Sequence, residues 1–230
     1  MSYRAPIALL AVTLLLGPVC SRAGETPAVI QSAQVEVLSV GEARSKALGT
    51  TVTVEGLVTT PSGVFNSSFF DRGFAVQDRS GGVFVSMQFD MGLKVGQRVR
   101  VTGAISSRTG LLLIVPVHPN EVQILAGKGE TKSLEAATRA IGEATEGKLV
   151  EVVGRITQPV VTDLPYGNKL FVDDGSGPVV VYVNLDTGID VLSLAPGQRV
   201  RVTGFSSQYE DHYEIDPRSP RDIRGVAKRD

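Results

Sequence analysis

The chain has 230 residues, a formal net charge of −1, 42% hydrophobic residues, 25 glycines, one cysteine and no tryptophan. Near-neutral charge excludes the strongly basic surface of proteins held on nucleic acid by charge alone. One cysteine excludes a disulfide framework and a thiolate zinc site, so stability must come from packed cores.

The N-terminal stretch reads as a signal peptide over residues 1–23. Arg4 supplies the positive charge, Ile7 to Leu16 the apolar run, and Ser21-Arg22-Ala23 the small residues around a cleavage site. The apolar run is shorter than the roughly 20 residues that span a bilayer, so no transmembrane segment is expected. Export to the periplasm or the medium follows, with the mature chain starting at Gly24. Cys20 opens the alternative of a lipid anchor, although Pro18 and Val19 before it fit a lipidation site poorly. Without Arg4 and Arg22 the chain carries 21 basic and 24 acidic residues.

Val40 to Leu48 has helical composition and is stopped by Gly49. Thr51 to Thr59 alternates valine with polar residues, interrupted by Gly56 at an expected bulge or bend. Gly73 to Gln77 and Gly82 to Gln88 are joined through Asp78-Arg79-Ser80-Gly81, a hairpin turn in which aspartate can cap backbone amides. Gln97 to Ile105 and Leu111 to Val115 are the next strands, followed by Glu121 to Leu125.

The eight residues GQRVRVTG then recur: Gly96 to Gly103 is repeated at Gly197 to Gly204. The surrounding order recurs with them. Leu134 to Ile141 is a second lead-in helix, Lys148 to Thr157 a first strand with Gly154 matching Gly56, and Asp174-Gly175-Ser176-Gly177 the hairpin turn. Lys169 to Val172, Val179 to Val183, Gln198 to Phe205 and His212 to Ile215 supply the remaining strands. The chain is therefore a duplication, residues 24–127 and 128–230, joined by the short linker Ala126 to Ser133. Each copy, a short helix with five strands, closes most simply into a small barrel, giving an all-β fold.

The motif G-x-x-V-x-V-x-G-x-V/I-T, then strand-D-x-S-G-strand, then L-x-x-G-Q-R-V-R-V-T-G resembles OB-fold domains of the nucleic-acid-binding type. The resemblance covers nearly all of the chain after the leader. It implies two tandem five-stranded barrels, each with a binding face over its second and third strands, flanked by the loops between strands one and two and between strands four and five.

On those segments the candidate ligand-binding residues are Phe69, Phe70, Arg72, Phe84 and Arg108 in the first copy, and Tyr166, Lys169, Phe171, Tyr182 and Tyr209 in the second. Strand parity sets several of them: if Val83 and Val85 fill the first barrel, Phe84 is displayed outward, and Tyr182 and Asn184 follow in the second. Aromatic rings beside cations suit base stacking with phosphate contact. Arg98-Val99-Arg100 and Arg199-Val200-Arg201 read instead as solvated arginines on a barrel exterior.

Neither histidine, His118 nor His212, has a second histidine at metal-ligand spacing. The cluster Glu210 to Glu214 lacks the calcium-loop pattern. No catalytic group, cofactor or metal is expected. The sequence reads as an exported, non-catalytic binding protein for single-stranded nucleic acid. Its rivals are a scaffold for an envelope protein or cell-envelope glycan, and an accessory subunit presenting substrate to a separate secreted nuclease.

Overall fold

Valines at every second position are what the repeat has most of, and they set the architecture of the computed structural model, which describes residues 35–65 and 71–227. The expected leader and Cys20 lie outside the described residues. Residues from Val35 onward belong to one compact unit.

The chain enters through α1 (Val40–Arg44), whose Ser39 and Glu42 cap one another's backbone amides in a capping box. The helix is shorter than its composition suggests. Five strands follow: β1 (Thr51–Thr60), β2 (Phe74–Gln77), β3 (Gly82–Val85), β4 (Gln97–Arg108) and β5 (Leu111–Val115). They pair in the cyclic order β1-β2-β3-β5-β4-β1, antiparallel except for the parallel β3–β5 pair. This is the closed five-stranded OB barrel. β6 (Val122–Lys128) adds to the outer part of β4 and corresponds to the strand expected at Glu121 to Leu125.

The second copy opens differently from expectation. Leu134 to Ile141 is not a helix: β7 (Leu134–Glu135) pairs with β8 (Leu149–Ile156), and a short 3-10 turn covers Thr138–Ala140. Thr138 explains the difference. Its hydroxyl donates to the Gly177 carbonyl at 2.7 Å and its amide to the Asp174 carboxylate at 3.1 Å. Such side-chain bonds compete with the helical ladder. Then come β9 (Val161–Asp163), β10 (Gly167–Asp173), β11 (Val179–Asn184), β12 (Arg199–Tyr209), β13 (His212–Asp216) and β14 (Ile223–Gly225). The barrel closes as β8-β10-β11-β13-β12-β8, again with one parallel pair, β11–β13. Strand β9, a hairpin partner of β10 inside the loop between the first two barrel strands, has no counterpart in the sequence reading.

Inside each barrel the alternation is as the sequence reads. Val52, Val54, Val58, Val83, Val85, Val99 and Val101 meet in one core, and Val150, Val152, Leu170, Val172, Val181, Val200 and Val202 in the other. Gly56 shows no register shift; the irregularity in the β1–β2 pairing falls between Val58 and Thr60. Gly56 is needed because strands cross closely there: a Cβ would lie 2.6 Å from the Val76 side chain and 2.7 Å from the Gln77 carbonyl. Gly154 stands in the same position against Val172 and Asp173.

The two barrels share a third apolar cluster. Ala75, Phe84 and Leu113, on the outer face of the β2, β3 and β5 sheet, are buried with Phe205 of β12. The Phe84 and Phe205 rings are 5.6 Å apart. Arg44 reaches across to the buried Glu146 at 3.0 Å. The tips of the two β-hairpins joining strands four and five also meet: Gly110 bridges Tyr209, and the Glu210 amide donates to the Thr109 carbonyl at 2.6 Å.

Candidate functional site

Barrel 2 sets the floor of the site by strand parity. Where Leu170, Val181 and Ile215 point into its core, their neighbours Lys169, Tyr182, Glu214 and Asp216 point out. Ser207 and Tyr209 of β12 continue that surface alongside Glu214 and His212 of β13. The β9–β10 hairpin raises Asp163 and Tyr166 at one side, and barrel 1 overhangs the other with Phe65, Phe84, Arg108 and Leu113. The enclosed volume is about 400 Å³, within the range of ligand sites.

Six of the expected residues therefore come together in this groove: Phe84, Arg108, Tyr166, Lys169, Tyr182 and Tyr209. Tyr166 and Tyr209 stand at its rim, 43% and 44% exposed. Phe84 does leave the barrel core as parity requires, but it is not displayed: at 8% exposure it is covered by Phe205. Arg72 and Phe171 lie off the groove lining. Phe69 and Phe70 fall outside the described residues. Arg98 and Arg100 of β4 and Arg199 and Arg201 of β12 are also off the groove. Glu55 holds Arg100 at 2.6 Å and Arg98 at 3.8 Å, and Glu151 pairs with Arg201.

The groove is richer in carboxyl groups than the sequence reading allowed. Arg108 donates to Asp71 at 2.7 Å, and Asp71 also accepts from the Ser86 hydroxyl and from the amides of Gly73 and Met87. Lys169 lies 3.3 Å from Asp163 and 5.9 Å from the centre of the Tyr182 ring. Burial, then the neighbouring Asp163 charge, raises the Tyr182 hydroxyl far above the usual phenol range. His212 Nε2 approaches Glu214 at 3.4 Å. Glu214 was missed as a site residue because the cluster Glu210 to Glu214 was weighed only as a cation site, and Asp216 lay beyond that cluster. The usable signal was parity, since Ile215 between them faces the core.

Burial raises the Glu214 carboxyl, against the pull of His212 and Lys169. Burial also raises Asp216 well above the usual carboxylate range, reinforced by the Glu214 charge. Its Oδ1 has no hydrogen-bond partner among the described residues. A raised carboxyl in the folded state favours folding at low pH, and that advantage is lost as pH rises through the folded value. Asp216→Asn is accordingly expected to raise stability at about pH 7 by roughly 0.5–2 kcal/mol, the range of ordinary stabilising substitutions. The gain should vanish near pH 3, where both folded and unfolded carboxyls are protonated. Urea midpoints of the two proteins at each pH check this; a less stable variant at pH 7 contradicts the burial argument.

The class defined by this fold and groove is a tandem OB-fold protein whose two barrels build one cleft. No family model matches the chain. The endonuclease YhcR of Bacillus subtilis is 27% identical over 199 residues, covering 81% of this chain, and the chain spans only 16% of that relative's length. Among solved structures, fission yeast Pot1 with single-stranded DNA is similar at a TM-score of 0.40 and 9% identity, covering 86% of this chain and 90% of that one. The tetrameric p202 HIN2 structure is similar at 0.38 and 13%, covering 78% and 94%. The fold assignment rests on the strand order itself.

Proposed function

We propose that the protein binds single-stranded nucleic acid in the groove between its barrels, with bases stacked on Tyr166, Tyr182 and Tyr209 and phosphates touched by Lys169 and Arg108. The observation that carries this reading is the convergence of three tyrosines and two cations, from both barrels, on one cleft. Every base has a π-face, so such a surface suits a single strand, whose bases are free to splay. The similarity to part of a protein named an endonuclease agrees with a nucleic-acid ligand.

Both cations are shared with carboxylates, so few counterions are released on binding. With two phosphate contacts the slope of log K against log salt should be no steeper than about −1.4. Tyr182→Ala and Tyr209→Ala are each expected to weaken binding by roughly 5- to 150-fold, at about 1–3 kcal/mol per stacked base. Fluorescence anisotropy with labelled single-stranded DNA, with circular dichroism to verify folding, measures both effects. Absence of binding at low salt overturns the reading and favours a protein or glycan ligand instead.

The proposal includes export directed by residues 1–23 and no catalytic step in this chain. Sequencing the N-terminus of the protein recovered from outside the cytoplasm tests the first, with Gly24 expected. Incubating labelled single-stranded DNA with the protein and magnesium tests the second; cleavage would count against it.

A further inference from the structure

We infer that the groove discriminates among bases, favouring those with an exocyclic amine (cytosine, adenine and guanine) over thymine and uracil, because carboxyl groups form its floor. This rests on the nucleic-acid reading above and adds a specificity to it.

The groove holds four carboxyl groups, Asp71, Asp163, Glu214 and Asp216, against the two cations Arg108 and Lys169. Arg108 is bonded to Asp71, and Lys169 lies 3.3 Å from Asp163. Glu214 and Asp216 stand two residues apart on the same face of β13, so both present oxygen toward the same cleft. Among the described residues, the buried Asp216 Oδ1 has no hydrogen-bond partner. Carboxyl groups outnumber cations in the groove by four to two, so a ligand that supplies hydrogen-bond donors is favoured.

A phosphodiester pressed onto that floor would meet like charge at short range. The strand must then run with its backbone along the rim, near Lys169 and Arg108, and its base edges turned inward. A carboxylate held by a cation, as Asp71 is by Arg108 and Asp163 by Lys169, accepts hydrogen bonds and donates none. The cytosine N4 and adenine N6 amines are donors that it can bind, whereas thymine offers an O4 acceptor at the equivalent edge. One good pairing of this kind discriminates by about 5- to 150-fold.

The test is competition. A labelled mixed-sequence single strand bound to the full protein is displaced by unlabelled homopolymers of cytosine, adenine and thymine of equal length at fixed salt. Cytosine and adenine strands are expected to compete at concentrations at least about fivefold below those needed for thymine. Glu214→Gln should narrow that ratio by removing one carboxyl from the floor and setting an amide donor in its place. If this buried position disturbs folding, Asp163→Asn, with its side chain 42% exposed, makes the same comparison on an accessible group. Equal competition by all three strands, or a preference for thymine, overturns the selectivity and leaves the stacking groove standing. A labelled strand that never binds overturns the nucleic-acid reading, and the selectivity falls with it.

Discussion

Phe205→Ala is expected to cost about 3–5 kcal/mol, the usual loss when a fully buried phenylalanine is truncated. Phe205 is 1% exposed although it belongs to neither barrel core. It sits where the outer faces meet, against Phe84, Ala75 and Leu113. Its removal therefore empties the junction and leaves each barrel's valine core intact. Urea unfolding followed by circular dichroism should show the wild type losing both barrels in one transition and the variant splitting into two. A variant that loses less than about 1 kcal/mol and still unfolds in one step would mean that the barrels are not held by this contact. The groove shares this wall, so ligand binding should fall with the junction.

Gly147→Ala is expected to cost about as much, by a different mechanism, and its repeat partner provides the control. Gly49 and Gly147 open the same motif in the two copies and have nearly the same backbone, φ +85° and +82°. An alanine at either position is forced into the left-handed region, at about 1–2 kcal/mol. The surroundings differ. Nothing lies within 4 Å of a Cβ at Gly49, whereas a Cβ at Gly147 would stand 2.1 Å from the Gly82 carbonyl oxygen of the other barrel. Backbone cannot swing aside as a side chain does, so overpacking of roughly another 1–3 kcal/mol is added. The difference in urea stability between Gly49→Ala and Gly147→Ala isolates that second term. Equal losses would show that the barrels can separate there freely.

Much of the fold was legible because an eight-residue identity exposed the duplication and because alternating valines declare which side of a strand faces a core. Val83 and Val85 placed Phe84 outside barrel 1 correctly. What parity does not reveal is whether the outside is solvent. That information was nevertheless present in the contrast between equivalent strands: Leu111 to Val115 reads LLLIV, apolar on both faces, while His212 to Asp216 reads HYEID, apolar on one. A strand apolar on both sides is buried on both. The contrast marks barrel 1 as the covered partner and barrel 2 as the one with an open face. Thr138 was read as part of a helix because its bond to Asp174 spans 36 residues, beyond any local pattern. Arg72 and Phe171 were grouped with the site by loop and parity, which fix direction but not distance from the groove.

The covering of barrel 1's outer face has a consequence for how the duplication works. Tandem binding modules ordinarily gain strength by multiplying their contacts, since a second site on the same chain is engaged at a high effective concentration. Here the first copy's equivalent surface is sealed against Phe205 and contributes a wall to its neighbour's cleft. If the groove is the ligand site proposed above, the pair has the valency of one module. Its gain from doubling is a deeper, more rigid enclosure for a short stretch of ligand, in place of avidity along a long one.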